Sequence, residues 1–251
     1  MSYAVVQSEL VDLDPAVMRR AFRRLEFLTD HDADAWADQE PTGFIVRRRD
    51  RDEAGSIVRA LSREGIAVEA VAERDLLALP GAKWSRRLDV GESGLTVFDT
   101  LGRPRILGWD HVVMVAAGLV GRRRIEHERR EWIGDSQSMV PVPYRFAIES
   151  LRCSLYLELL LDVEPLRVRV DPFSFDYRYL GERKAGNIEG NFLLMVCDLV
   201  SYGVRALKNR GAESLSDGVG GSEDVKVYKT ERHFEEEVLW LIWRSLAGAE
   251  R

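Results

Sequence analysis

Residues Thr42–Glu73, TGFIVRRRDRDEAGSIVRALSREGIAVEAVAE, read as strand, helix, strand. Thr42 to Arg48 is rich in the β-branched and aromatic residues that fit a pleated surface. Asp50 follows at the position of a helix N-cap, where its carboxylate can take up the first unpaired amides. Ala54, Ile57, Val58 and Leu61 then recur at helical spacing and define one apolar face. Gly65 fits the left-handed turn that ends a helix, and Ile66 to Val71 is the closing strand. Toward the N-terminus, Tyr3 to Ser8 is a short strand. Asp14 and Pro15 open a helix carrying Val17, Met18, Ala21, Phe22 and Leu25, and Asp30 to Asp38 forms a second, short helix before Pro41. The order over residues 1–75 is β-α-α-β-α-β.

That order, together with Gly43-Phe44-Ile45-Val46, Arg51-Asp52-Glu53-Ala54, Ile57-Val58-Arg59-Ala60-Leu61 and Glu64-Gly65-Ile66-Ala67-Val68-Glu69, resembles the C-terminal domain of the bacterial ribosomal stalk protein. The Clp protease adaptor is similar in overall fold. The resemblance implies a small α+β domain over about the first 73 residues. It does not carry the family's partner with it. The stalk domain meets translation factors through a turn with glycines and lysines; here that stretch is Phe27-Leu28-Thr29-Asp30-His31-Asp32-Ala33-Asp34. Phe27 and Thr29 replace the glycines, and His31 and Asp34 replace the lysines. Reversed charge removes complementarity to an acidic factor.

Beyond a connector at Leu76–Pro80, the chain changes character. Trp84–Val90, Leu95–Leu101, Arg105–Leu107 and Val112–Leu119 are expected strands, with turns at Gly91-Glu92-Ser93-Gly94 and Leu101-Gly102-Arg103-Pro104. A polar, Arg-rich insertion runs from Gly121 to about Arg145. Leu155–Asp162, Leu166–Val170 and Phe173–Leu180 are further expected strands, and Asn191–Lys208 is an expected helix. Trp109-Asp110 ahead of Val112-Val113, with several antiparallel strands closed by that helix, resembles the bacterial pleckstrin-homology-like domains, which implies a binding rather than a catalytic module over residues 84–210. Asn209–Glu223 reads as a flexible, Gly- and Ser-rich linker. Val225–Tyr228 is a short strand, and Glu231–Leu246 is a tail helix whose apolar residues include Phe234, Val238, Leu241, Ile242 and Leu246, with Trp240 and Trp243 widening that surface. The fold class expected is α+β.

The 251 residues carry a formal charge of -6, with 45% hydrophobic and 31% charged residues. Such a balance is globular, and it argues against general nucleic-acid binding, which needs a basic surface. No apolar stretch is long enough to span a bilayer, so stable membrane insertion is not expected and a cytoplasmic location is. Cys153 and Cys197 are the two cysteines; with no Cys-x-x-Cys pair they read as buried thiols.

No motif for a cofactor or a metal is found, so neither is expected. Asp30, Asp32, Asp34 and Asp38 bring carboxylates to one helix but lack the glycine and terminal glutamate of a calcium loop, and they suit a helix N-terminus instead. His31, His111, His127 and His233 form no His-Glu-x-x-His pair. Asp171 and Asp176 flank Phe173 and fit a turn better than an acid-base pair. With no catalytic constellation, the expectation is a non-enzymatic interaction or scaffold protein, binding a protein partner or a second copy through Phe234, Trp240 and Trp243; the sequence leaves open whether the tail helix buries these residues on its own chain or on another. The alternative is an anionic-ligand or membrane-surface module using Arg122, Arg123, Arg124, Arg129 and Arg130. An enzyme whose site is not recognised is the remaining alternative.

Overall fold

The computed structural model describes residues 1–39, 42–76, 78–125, 132–133, 140–141, 149–161, 166–217 and 226–249. It is a mixed α+β structure. The N-terminal unit comprises β1 (Tyr3–Gln7), α1 (Pro15–Phe22), α2 (Asp30–Ala37), β2 (Phe44–Arg49), α3 (Arg51–Arg63) and β3 (Val68–Ala72). Local chemistry sets these boundaries. The Asp14 carboxylate accepts from the Ala16 amide at 2.8 Å, and Asp50 Oδ1 accepts from Asp52 and Glu53 at 2.9 Å each. The strands form an antiparallel sheet in the order β2-β1-β3. Met18, Phe22, Ile57 and Leu61 from the helices, with Leu25 just after α1, bury one of its faces with Val5.

Next come β4 (Ala82–Ser85), β5 (Leu88–Gly91), β6 (Gly94–Phe98), β7 (Pro104–Leu107), β8 (Val112–Ile125), β9 (Trp132–Ile133), β10 (Val140–Pro141), β11 (Glu149–Leu161) and β12 (Leu166–Val170). The short β9 and β10 pair with each other, and β5-β6-β7 is an antiparallel meander. A larger sheet has the order β8-β11-β12-β4, with β4 parallel to β12. The expected strand Trp84–Val90 is therefore two strands in two sheets. The chain turns at Ser85, whose hydroxyl lies 2.8 Å from the Arg87 carbonyl and 2.9 Å from that of Phe98. The Arg-rich insertion also begins later than its composition suggests, because β8 stays paired with β11 as far as Ile125 opposite Glu149.

Phe173–Leu180 is not a strand. Asp171 takes the Phe173 amide and the Ser174 hydroxyl into a turn, and a 3-10 helix follows at Arg178–Arg183. Helix α4 (Ile188–Tyr202) starts and stops earlier than expected, capped by Asn187 and ended at Gly203. Phe192, Met195, Val196 and Leu199 pack it against Val115, Ala117, Val168 and the β5-β6-β7 meander. Nor is Asn209–Glu223 wholly a linker, because α5 (Arg210–Asp217) occupies its first half, with Ala212 and Leu215 buried.

The outer edge of β8 is closed in three pieces. β13 (Leu207–Lys208) lies parallel to Met114–Val115, and β14 (Val227–Tyr228) lies parallel to Leu119–Val120. Between them, the Asn209 amide accepts from the Ala117 N–H at 2.9 Å and donates to its carbonyl at 3.0 Å, as a neighbouring strand would. Gly211 approaches so closely that a β-carbon there would overlap the Ala117 carbonyl oxygen.

The last helix, α6 (Glu231–Ala249), holds the two units together. Phe234, Val238 and Ile242, one turn apart, pack on Met114, Ala116, Val120 and Tyr228 of the large sheet. Leu239 and Trp240, on another side of the helix, pack on Ala4, Val6 and Phe44 of the small one and on Leu76 beyond it. The Trp240 indole N–H donates to the Gln7 carbonyl at 2.9 Å, and its ring lies against Gly43, whose φ of 89° and lack of a side chain permit the approach. Of the candidate interface residues Phe234, Trp240 and Trp243, open from sequence to packing on their own chain or on another, all three face their own: Phe234 and Trp240 are buried and Trp243 is partly so. Two apolar stripes on one helix are both consumed within the chain. No described helix is long and apolar enough to cross a membrane.

Candidate functional site

Strand β2 is the outermost strand of the small sheet, and β1 is its sole strand partner among the described residues. Its other edge borders a recess of about 130 Å³. Trp36 and Gln39 at the end of α2 wall one side, and Arg232, His233 and Glu236 on the first turns of α6 wall the other. A second recess of about 370 Å³ adjoins it and shares Arg47, Arg232 and Glu236. Leu76, Leu79 and Leu239 give this second space an apolar side, while Glu73, Arg167 and Glu235 complete a charged rim. The site therefore lies where the N-terminal unit, α6 and β12 meet.

The end of β2 departs from a regular strand. Tyr3 faces Arg49 whereas Val5 faces Val46, so the ladder shifts over Arg47 and Arg48. Arg48 adopts φ of 60°, the left-handed region that a side chain occupies at a cost. The Glu73 carboxylate holds this bulge: its Oε1 accepts from the Arg48 amide at 2.8 Å and from Arg47 Nε at 3.4 Å. Bulging re-aims the strand, leaving Arg48 exposed and bringing Arg49 partly under cover.

Arg49 is the most distinctive group here. Its guanidinium carbon lies 4.5 Å from the centre of the Trp36 ring, a cation-π geometry. Its guanidinium lies 3.7 Å from a Glu53 carboxylate oxygen, an ion-pair distance too long for a hydrogen bond. The buried Nε has no hydrogen-bond acceptor among the described residues. A buried donor without an acceptor costs stability, and such groups concentrate where a ligand is missing or strain is stored.

The rest of the rim is internally paired. Arg232 reaches Glu236 at 2.9 Å, and Thr42 donates to Glu236 at 3.2 Å, linking α6 to the start of β2. Arg167 and Arg169 are only 7% and 8% exposed. They project from β12 to Glu235, and Arg169 also reaches Glu231. Their alternation with Leu166, Val168 and Val170 is a signal the sequence carries, since a strand with arginine on its second face needs acids there. Arg47, Arg49, Arg167 and Arg232 were not among the candidates from sequence, because nothing local joins segments so distant.

The candidates from sequence are placed elsewhere. Arg122, Arg123 and Arg124 lie on the far part of β8, where the register puts Arg122 opposite Arg152, Arg123 opposite Leu151 and Arg124 opposite Ser150. Arg129, Arg130 and His127 lie outside the described residues. Asp34 is bound by Arg19 and Arg23 and Asp38 by Arg19, so these carboxylates serve α1–α2 packing. Asp176 pairs with Arg178, whose hydrogen bonds hold its carboxyl below the usual range. Cys197 is half-buried, and burial beside Asp198 raises its thiol above the ordinary value, which keeps it protonated. No family model, no curated protein and no solved structure matches the chain.

Proposed function

We propose that the chain is a non-catalytic protein-interaction or scaffold protein that docks a segment of its partner in the recess between β2 and α6. One observation carries this reading: a sheet edge without a strand neighbour among the described residues lines a recess walled by α2 and α6. Open edges are usually shielded, and one kept beside a preformed recess suits recognition. The order of elements in residues 1–75 supports a stalk-like unit, and the strand-rich middle closed by α4 supports a pleckstrin-homology-like module. Both resemblances are to folds often used as binding modules, a fold-level analogy in favour of the reading. Affinity capture with two matched baits tests the reading, the wild type and Gln39→Trp, which puts a large ring into the recess between β2 and α6. Partners that interact through the recess are lost from the variant while its unfolding temperature is unchanged; an identical set of partners from both baits contradicts the site.

A second reading, anionic-ligand or membrane-surface binding, is favoured by the register that sets Arg122 directly opposite Arg152 with Arg124 one pleat away. That register gathers three arginine positions on one stretch of the ladder, and a cluster of arginines suits an anionic ligand. The expected result is salt-sensitive binding to vesicles containing phosphatidylserine that is lost in Arg122→Glu/Arg124→Glu/Arg152→Glu. Equal binding by the charge-reversed chain excludes this reading.

A further inference from the structure

We infer that the occupant of the smaller recess is an extended, acidic protein segment that adds as a strand to the free edge of β2 and seats one carboxylate on Arg49. The inference rests on the docking reading above and names the chemistry of its partner.

Geometry supplies the mode of binding. In a strand, backbone N–H and C=O groups alternate between its two edges, and β1 satisfies those on one side only. β2 has six residues, enough to pair with a short extended segment. Ile45 and Val46 are half-buried, so a segment lying beside them covers apolar surface as well as backbone. Helices offer no such edge-to-edge pairing, and a small molecule would leave most of the strand's edge unmet.

Charge supplies the specificity. Three successive arginines, Arg47, Arg48 and Arg49, end the strand. Arginines on an edge can simply guard it against aggregation, and Arg48, exposed at the bulge, suits that role. Arg49 does not. A guard works by being solvated, whereas the Arg49 side chain is 32% exposed, stacked on Trp36, and keeps Nε away from both water and acceptors. Stacking fixes the plane of the fork before any ligand arrives, so little freedom is lost when a carboxylate binds. Arg47 is already matched by Glu73, and Arg232 by Glu236. Among the described residues, Arg49 is therefore the arginine of this recess whose ion pair, with Glu53 at 3.7 Å, makes no hydrogen bond. Glu236 on the opposite wall disfavours a second acid there, so a single acid flanked by β-branched residues fits best.

The test uses the full chain and synthetic peptide mixtures roughly nine residues long, the span of a generous strand. One mixture fixes glutamate at the centre among varied Val, Ile and Thr; a second fixes lysine; a third repeats the first with alternate amides N-methylated. Amide hydrogen exchange reports protection along the chain. The glutamate mixture is expected to slow exchange in Phe44–Arg49 by about tenfold more than the lysine mixture, the scale of one charge-assisted pair. N-methylation is expected to abolish that protection. In Arg49→Gln the preference for glutamate over lysine disappears. Should that variant fold poorly, Arg49→Lys, which keeps charge but not the fork, is expected to retain only part of it. Protection indifferent to N-methylation overturns strand addition while leaving the recess as a docking site. Failure of the glutamate mixture to protect β2 overturns the inference altogether, and the bait comparison judges the docking reading separately.

Discussion

Glu237→Ala is expected to lower the stability of the chain by about 3–5 kcal/mol, the loss typical of one partner removed from a buried ion pair. The Glu237 side chain is 0% exposed and lies at the centre of a closed polar network. It accepts from the Arg210 amide at 2.8 Å, from Arg210 Nη2 at 2.8 Å and Nε at 3.0 Å, and from the Tyr228 hydroxyl at 3.0 Å. The Tyr228 oxygen in turn accepts from Asn209 Nδ2 at 2.8 Å and from the Gly211 amide at 3.2 Å. Asn209 closes the edge of β8 and takes the Ala212 amide at the start of α5. One carboxylate on α6 thus orders β14, α5 and the edge of the large sheet together. Alanine leaves Arg210 with Asp12 at 3.0 Å, an acid whose side chain is 85% exposed and which therefore compensates little.

Two companions make the expectation specific. Glu237→Gln keeps an acceptor for Tyr228 and is expected to lose less, about 1.5–3 kcal/mol, as for a hydrogen bond to a charged group. Adding Arg210→Met to Glu237→Leu removes both charges and is expected to be more stable than Glu237→Ala. Urea denaturation of the set measures all three. A loss below about 0.5 kcal/mol in Glu237→Ala, the range of ordinary surface changes, would remove the network from the account of stability.

Trp240→Ala is expected to cost about 3–5 kcal/mol, in the range of large aromatic truncations, and to do so unevenly. The ring is 5% exposed, and it fills the joint between α6 and the small sheet. Its loss also leaves the Gln7 carbonyl without its indole donor. Phe234, Val238 and Ile242 still hold α6 to the large sheet. Hydrogen exchange is therefore expected to quicken most in β1, β2 and β3, and to change little in β12 and α4. Equal acceleration in both parts would mean that the two units unfold as one body and that α6 is not a separable joint. Gly43→Ala probes the same contact from the other side, since a β-carbon there would overlap the Trp240 ring. The two substitutions are expected to be less than additive, because they disturb one contact.

The N-terminal unit was legible because its signals act over a few residues. Asp14 and Asp50 cap helices beside them, Gly65 ends α3 at φ of 82°, and the apolar positions of α3 recur every turn; each leads to the same β-α-α-β-α-β order without reference to anything distant. The strand segments Val112–Leu119 and Leu166–Val170, which flank β11, were legible for the same reason, being continuous or alternating apolar runs. Where local composition and tertiary contact disagree, contact decided. Arg210–Asp217 looks like linker by its Gly and Ser content, yet Asn209 and Glu237 satisfy its first amides and Leu215 is buried, so it is helix. Trp84–Val90 looks like one strand, yet two sheets claim its halves.

By itself, then, the sequence determined the element types of the first unit, the mixed α+β class and the apolar character of the tail helix. Tertiary structure alone decided that this helix buries both its stripes in its own chain, and that Arg49, Trp36, Arg232 and Glu236 share one recess. The reason is one of range. Caps and periodicity report on a residue's own turn or pleat, whereas ion pairs and an open sheet edge depend on which distant segments the packed core brings side by side.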